Sequence, residues 1–141
     1  MALCIIDFGS KKYQQMLDLR NEILRKPLGM ELNGEDTARD ADSILIGFFE
    51  EETMLGCCML VRDEDGILLR QMAVRYNLQG KGVGRAIMNF AENIARDLGY
   101  QKIAMYARKQ AQGFYEKLGY TTNGEEFVKL TIPHVVMEKY I

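Results

Sequence analysis

The sequence has few of the residues from which metal centres and disulfide frameworks are built. Its 141 residues include one histidine and three cysteines, and two of these cysteines, Cys57 and Cys58, are adjacent. No Cys-x-x-Cys pair occurs. We therefore expect neither a bound metal nor a set of disulfides, and the thiols fit a reducing compartment.

Long apolar runs and a basic leader are also missing. The apolar runs are far shorter than the roughly 20 residues that a membrane-spanning helix needs. Residues 1–7 lack the basic region and cleavage site of a secretory signal. The net charge is −2, so no global charge recruits nucleic acid or an anionic membrane. We expect a cytoplasmic protein with neither of these as a partner.

The sequence does contain enough apolar material for one compact domain. Hydrophobic residues make up 48% of the chain and charged residues 27%, a balance typical of globular proteins. The chain length also falls within the common range of single domains. We expect residues 1–141 to form one domain.

A glycine-rich hexapeptide at residues 79–84 links a predicted strand to a predicted helix. The mostly apolar segment 67–74 follows Asp65-Gly66 and is typical of a buried strand. From Val83 to Leu98, apolar residues recur at three- and four-residue steps, which predicts an amphipathic helix. Glycines let several backbone N–H groups face one concavity, and the helix N-terminus adds partial positive charge. The hexapeptide therefore favours an anion such as phosphate.

The spacing of the glycines narrows the choice of ligand. A P-loop requires Ser or Thr after Gly-Lys, but Lys81 is followed by Gly82, and the dinucleotide pattern Gly-x-Gly-x-x-Gly is not completed. Gln79, Gly82 and Gly84 form the pattern Gln-x-x-Gly-x-Gly. This pattern resembles the acyl-CoA pyrophosphate loop of the GNAT superfamily of N-acetyltransferases. Taken alone, the hexapeptide is also compatible with a purely structural turn.

A second segment carries the same resemblance. Residues 101–107 predict a further strand, and because a helix separates it from segment 67–74, we expect the two strands to be parallel. Residues 111–120 then match the GNAT pattern Ala-x-x-Phe-Tyr-x-x-x-Gly-Phe, with Tyr120 in the place of the last phenylalanine. The two signatures occur in the order that the superfamily shows.

The remaining segments complete the fold that the resemblance implies. They are a strand at 3–8, a helix from Ser10 to Pro27, a hairpin of 44–49 with 54–61, and a closing pair of 126–131 with 133–140. The first helix is expected to bury Tyr13, Met16, Leu17 and Leu24. The predicted fold class is α/β (α+β): a GNAT-type mixed, mostly antiparallel sheet with one splayed parallel strand pair, flanked by helices. An additional helix within 30–42 is compatible with this order.

The resemblance implies an acyltransferase that moves an acetyl group from acetyl-CoA to a primary amine by direct attack on the thioester. Acetyl-CoA would be the co-substrate, without a metal. Backbone groups of Met72, Ala73 and Val74 would pair with the pantetheine arm. The pyrophosphate would be held by Gln79, Gly80, Lys81, Gly82, Val83, Gly84 and Arg85. Arg75 would add positive charge near the loop, although an ordinary surface position explains it equally well.

Two residues are candidates for proton transfer. Tyr115 matches the GNAT tyrosine that acts as general acid toward the leaving thiolate, and a phenol is protonated at neutral pH; its alternative role is a core aromatic. His134 has a side chain whose ordinary pKa suits a general base, although a lone histidine on a strand is more often structural. A water chain that leads to Glu31, Glu35 or Asp36 is the competing base.

The acceptor amine is the part that the sequence specifies least. Segment 31–42 is acidic and either attracts a cationic small-molecule or peptide amine, or is an ordinary solvated loop. A non-catalytic acyl-CoA-binding or regulatory module is the alternative function, since it would keep the glycine loop without needing Tyr115. Some relatives in the superfamily dimerise through their terminal strands, so a homodimer is an open alternative for this chain.

Overall fold

The computed structural model describes residues 1–141, which form eight strands and four α-helices. The strands are β1 (Ala2–Ile6), β2 (Ile44–Glu50), β3 (Thr53–Asp63), β4 (Gly66–Val74), β5 (Lys102–Arg108), β6 (Thr121–Thr122), β7 (Phe127–Lys129) and β8 (Ile132–Tyr140). The α-helices are α1 (Lys11–Arg20), α2 (Gly34–Thr37), α3 (Val83–Asp97) and α4 (Gln112–Lys117). The strands follow the order β1-β2-β3-β4-β5-β8-β6 in one sheet, and β7 pairs with β8.

The sheet is mixed, as the sequence predicts. β4 and β5 pair in parallel, while β2 pairs antiparallel with both β1 and β3. β8 pairs antiparallel with β5, β6 and β7. The parallel register ends at Leu69↔Met105, although β4 itself continues to Val74. The predicted fold class is confirmed.

The chain divides into two compact units. One consists of residues 1–61 and 70–91, and the other of residues 62–69 and 92–141. The expectation of a single domain therefore stays a prediction, and each unit is described by itself. No helix is long and apolar enough to cross a bilayer.

In the first unit, a glycine lets α3 pack closely against β3. A Cβ atom on Gly56 would lie 2.8 Å from Ile87 Cδ1 and 3.1 Å from the Ala73 carbonyl oxygen. Real Cβ atoms do not approach other heavy atoms as closely as the first of these distances. Gly56 is therefore needed where the start of the long helix meets the sheet.

The first helix differs from its prediction. Ser10 caps α1 by accepting a hydrogen bond from the Tyr13 N–H, as expected, but the α-helix ends at Arg20 and widens into a π-helical turn, Asn21–Arg25. Leu17 and Leu24 are only half-buried, so their expected burial is wrong. The residues buried in addition to Tyr13 and Met16 are Leu19, Arg20 and Arg25.

In the second unit, β8 organises the C-terminal strands. It pairs with β5 from Lys102↔Tyr140 to Arg108↔His134, and with β7 from Phe127↔His134 onward. The predicted closing pair is confirmed. The strand β6, Thr121–Thr122, was not expected, because two residues are too few to show the alternation of apolar and polar side chains that predicts a strand.

Candidate functional site

The loop that follows β4 is held in shape by a hydrogen bond from one of its own side chains. After Val74 the chain makes a 3-10 turn, Tyr76–Leu78, and the Gln79 Nε2 group then donates a hydrogen bond of 3.1 Å to the Val74 carbonyl. Gly80 and Gly82 have φ values of +81° and +88°, in the region where a side chain is unfavourable. The hexapeptide therefore has a defined turn that needs its glycines.

The first turn of α3 provides backbone N–H donors at the end of this loop. The Ala86 N–H makes a helical bond of 3.0 Å to the Gly82 carbonyl. The amides of Val83, Gly84 and Arg85 precede this bond, so they belong to the first turn, whose donors have no partner within the helix. Lys81 and Arg85 are exposed beside them. The arrangement is suited to an anion.

Arg75, which was expected to add charge near the loop, is in part used structurally. Its Nε donates to the Met54 carbonyl at 2.6 Å, and its backbone N–H donates to the Leu55 carbonyl at 3.1 Å. Both acceptors belong to β3. The guanidinium is thus tied to the neighbouring hairpin by one nitrogen.

β4 is distorted just before the residues expected to meet the pantetheine arm. Gln71 has a φ of +57°, which is uncommon for a residue other than glycine and interrupts the extended backbone. Its side-chain Oε1 is buried without a hydrogen-bond partner. Ala73 is buried, while Met72 and Val74 are half-buried. A buried acceptor without a donor is costly, so a ligand donor would be favoured there.

A buried ion pair joins α1 to the segment that follows α2. Arg20 Nη1 lies 2.8 Å from Asp40 Oδ2, and the side chains of both residues are 0% exposed. The Tyr13 hydroxyl donates to the same carboxylate oxygen at 2.6 Å. Burial, together with the hydrogen bond to Asp40, raises the pKa of Tyr13 to about 12. We call Tyr13, Arg20 and Asp40 the N-terminal charge cluster.

A second ion pair lies beside that cluster. Arg25 donates through Nε and Nη2 to both oxygens of Asp36, at 3.1 and 2.7 Å. Burial raises the pKa of this carboxyl, but the hydrogen bonds from Arg25 and from the Asn33 N–H outweigh it and lower the pKa below its usual value. Asp36 is therefore a poor base. Two of the acidic residues of segment 31–42 are internal counter-ions, while Glu31, Glu35 and Asp42 are exposed.

An open cleft lies between α1 and this segment. It has a volume of about 410 Å³ and is lined by Leu17, Asp18, Asn21, Glu31, Leu32, Asn33, Gly34 and Thr37. The Asn21 Oδ1 atom accepts the Leu32 N–H at 2.8 Å, which fixes the wall of the cleft.

In the second unit, Tyr115 is buried on α4, with 5% of its surface exposed. Its ring contacts those of Phe114 and Tyr120, at centroid distances of 5.0 and 5.9 Å. The Tyr120 hydroxyl donates to Glu92 Oε2 at 2.9 Å, and Lys139 Nζ donates to Glu92 Oε1 at 3.0 Å. We call Glu92, Tyr120 and Lys139 the C-terminal charge cluster. It supports the ring against which Tyr115 packs.

His134 is buried in the second unit, opposite Arg108 in the β5–β8 register. Its ring stacks on Phe127 at 5.7 Å, and Nδ1 lies 3.0 Å from the Ile132 carbonyl. Because a carbonyl only accepts, Nδ1 carries the proton and Nε2 has the lone pair. Burial lowers the pKa of His134, so the ring is neutral at neutral pH. These contacts fit a structural histidine and leave one basic nitrogen.

The expected residues thus fall into two groups. Residues 72–74 and 79–85 belong to the first unit, and Tyr115 and His134 to the second. Sequence reasoning missed the buried charges Arg20, Arg25 and Glu92. A signal for Glu92 was present, since it follows Met88 by four residues on the buried face of α3. Arg20 follows Met16 by the same step on α1.

Comparison with known proteins gives a family and a fold. Residues 23–141 match the family model described as an acetyltransferase (GNAT) domain. YjcF of Bacillus subtilis strain 168, named an uncharacterized N-acetyltransferase, is 30% identical over 135 residues, which covers 92% of this chain and 96% of YjcF. Two further relatives from the same strain match over 71 and 60 residues, so the chain spans 48% and 40% of their length.

Solved structures of similar fold cover the whole chain. An acyl-CoA N-acyltransferase from Pseudomonas aeruginosa superposes over 98% of both chains, with a TM-score of 0.85 and 20% identity. The PaiA N-acetyltransferase of Thermoplasma acidophilum, solved in complex with coenzyme A, superposes over 100% of both chains, with a TM-score of 0.74 and 17% identity. At these identities the likeness is one of fold.

Proposed function

Because the chain belongs to the GNAT acetyltransferase family, a family of acyltransferases, we propose that it transfers an acetyl group from acetyl-CoA to a primary amine. The observation that carries the proposal is the loop at residues 79–84. Its two left-handed glycines and the Gln79–Val74 hydrogen bond support the proposal, because they give a defined shape to the loop before the first turn of α3, and a helix N-terminus favours an anion such as phosphate. The prediction of the family is confirmed, and the details of the reaction are proposals.

The donor would lie along the end of β4 and across the loop. Added Cβ atoms on Gly80 and Gly82 would meet nothing within 4 Å, so the space beside the glycines is open to a ligand. Amides of residues 82–85, with the charges of Lys81 and Arg85, would bind the pyrophosphate. Backbone groups of residues 72–74 would bind the pantetheine arm. When bound, acetyl-CoA supplies an activated acyl group as a thioester.

Tyr115 is proposed as the general acid that protonates the departing thiolate. A phenol is almost fully protonated at neutral pH and can donate a proton to a group formed during the reaction. His134 is proposed as the base through Nε2, with water that leads to Glu31 or Glu35 as its competitor. Asp36 is the weakest of these candidates, because its carboxylate is already bound by Arg25.

We also propose that residues 1–141 act as one domain in the cytoplasm. The family model spans residues 23–141 and so includes parts of both compact units. The acceptor is proposed to be a small-molecule or peptide amine, since no basic tract for nucleic acid occurs. A homodimer remains the alternative to a monomer.

The decisive experiment measures release of coenzyme A thiol from acetyl-CoA with a panel of primary amines. We expect turnover with at least one amine, and initial rates at varied substrate concentrations that give intersecting lines, as direct attack requires. Tyr115→Phe should reduce kcat by roughly 100-fold or more, whereas exposed Tyr140→Phe should not. Binding of acetyl-CoA without turnover of any amine would support the non-catalytic module instead.

The loop can be tested separately. Gly82→Ala forces a side chain into the left-handed region, at roughly 1–2 kcal/mol, and should raise the KM for acetyl-CoA by about tenfold. Gly29→Ala is a matched control, because Gly29 has a φ of +71° and nothing within 4 Å of an added Cβ. If both variants had the same KM for acetyl-CoA, the loop would not bind the donor.

A further inference from the structure

Arg70 is a half-buried arginine whose charge is not paired. It lies on β4, next to Gln71, where the backbone turns to positive φ. No hydrogen bond or ion pair in the structure involves its guanidinium, in contrast to Arg20 and Arg25 nearby. A partly desolvated guanidinium without an acceptor is unfavourable unless a ligand supplies one.

The neighbouring carboxylates cannot fill this role, because they are already bound. Asp36 accepts two hydrogen bonds from Arg25. Asp40 Oδ2 accepts from both Arg20 and Tyr13. The remaining oxygen, Asp40 Oδ1, is buried without a hydrogen-bond partner. Both aspartates are therefore committed within the first unit.

The local charge balance is positive. Arg20 is paired with Asp40 and Arg25 with Asp36, and the charge of Arg70 interacts with all four of these groups. Arg70 is the arginine of the three that has no ion-pair partner. Burial, followed by the charge of Arg20, lowers the pKa of Arg70, although a guanidinium remains charged at neutral pH. The surroundings therefore favour one negative charge.

We propose that Arg70 binds a carboxylate of the acceptor, so that the amine substrate of this protein is one that also carries a carboxylate group. The inference rests on the proposed function, since it concerns the acceptor of the same reaction. A guanidinium presents two parallel N–H groups that match the two oxygens of a carboxylate. A single uncompensated charge suits this monoanion better than a phosphate dianion.

The position of Arg70 on the strand supports this role. Arg70 precedes Met72 by two residues on β4, and only Gln71, the residue with positive φ, lies between them. Residues 72–74 are the ones proposed to hold the thioester end of the donor. A carboxylate bound by Arg70 would thus place an amine a few bonds away near the acyl group. A polyamine would bring further positive charge to the same place and is disfavoured.

The test compares amines that differ only in the anionic group. Thiol release from acetyl-CoA is measured with β-alanine and its amide, with lysine and its methyl ester, and with phosphoethanolamine and ethanolamine. We expect kcat/KM to be roughly 10- to 100-fold higher for the carboxylate than for its neutral partner. Arg70→Gln should abolish this preference, because it lowers kcat/KM for the amine that carries a carboxylate and leaves kcat/KM for its neutral partner unchanged. Arg70→Lys should keep part of it, because the charge remains but the fork is lost.

The outcomes separate the two proposals. Thiol release without preference for a carboxylate, or a preference unchanged in folded Arg70→Gln, would overturn the role of Arg70 and leave the acetyltransferase proposal intact. Preference for phosphoethanolamine over both carboxylates would also overturn it. Absence of thiol release with every amine would instead refute the acetyltransferase itself. Arg62→Gln, at an exposed arginine on β3, should keep the wild-type ratio. If Arg70→Gln does not fold, the partial loss expected in Arg70→Lys tests the role of Arg70, and a wild type without preference for a carboxylate still overturns the proposal.

Discussion

The two charge clusters solve the burial of ionised groups in different ways. In the C-terminal cluster each oxygen of Glu92 has a donor, and Lys139 reaches solvent with 26% of its side chain exposed. In the N-terminal cluster both Arg20 and Asp40 are out of contact with water, and Arg20 Nε and Asp40 Oδ1 have no partner. One network is complete, and the other is not.

The difference teaches that the cost of a buried charge depends on whether its hydrogen bonds are complete and whether it reaches water. A satisfied network with access to water fixes the packing of neighbouring elements at modest cost. An incomplete network without water access costs more than well-packed apolar residues of the same volume. Within this cluster the carboxylate of Asp40 accepts hydrogen bonds from Arg20 and Tyr13. The N-terminal cluster is therefore the more costly of the two arrangements.

Removal of one charge from the N-terminal cluster should have the largest effect on stability. Asp40→Ala leaves the Arg20 guanidinium buried and unpaired, and should lower the free energy of unfolding by about 3–5 kcal/mol. Urea denaturation followed by circular dichroism measures this. The exposed Asp42→Ala variant is the control. The double variant Arg20→Met/Asp40→Leu should recover most of the loss, and a double variant as unstable as Asp40→Ala would contradict the comparison.

The corresponding change in the C-terminal cluster should be milder. Glu92→Gln removes the charge but keeps an acceptor for the Tyr120 hydroxyl, and Lys139 can turn to water. We expect a loss of about 1–2 kcal/mol, against no change for exposed Glu125→Gln. A loss equal to that of Asp40→Ala would show that access to solvent does not moderate the cost.

High pH should act on the N-terminal cluster through Tyr13. Its pKa is about 12 in the folded protein and about 10 in an unfolded chain. The stabilisation is therefore complete below pH 10 and is lost as the pH rises toward 12. Wild type should lose more unfolding free energy than Tyr13→Phe between pH 9 and 11. Equal losses of unfolding free energy in the two proteins would show that Tyr13 does not cause the pH dependence.

Low pH should have the smallest effect, through Asp36. Its pKa is lowered in the folded state, so its contribution is present above about pH 4, the pKa in an unfolded chain. It is lost as the pH falls through the folded value. Between pH 5 and pH 3, Asp36→Asn should lose less stability than wild type, by about 1 kcal/mol. A steeper loss in the variant would reverse the assigned sign.

The sequence predicts the parts of the molecule that depend on local patterns. The strand at 67–74, the glycine turn and helix α3 follow from apolar periodicity and from conformations that only glycine adopts easily. The pairing of Arg20 with Asp40 follows from no such pattern, since the two residues are twenty positions apart and meet only through tertiary packing.

The π-helical turn after α1 was also beyond sequence reasoning. Nothing in Asn21–Arg25 differs from an ordinary helical segment, and the observed hydrogen bond from the Lys26 N–H to the Asn21 carbonyl depends on how the segment packs. For the candidate site, the glycine loop was predictable because its contacts use the backbone. The lack of an ion-pair partner for Arg70 was not predictable, because it depends on the pairing of Asp40 with Arg20 and of Asp36 with Arg25.

The hydrogen bond from Gln79 to the carbonyl of Val74 has a kinetic consequence. Since this hydrogen bond ties the loop to the end of β4, the loop should hold its shape in solution before its proposed ligand, coenzyme A, arrives. Little conformational entropy would then be lost on docking, and the observed association rate should rise linearly with ligand concentration without a plateau. In Gln79→Ala the loop would have to become ordered during each binding event. The observed rate in stopped-flow experiments should then reach a plateau as the ligand concentration rises.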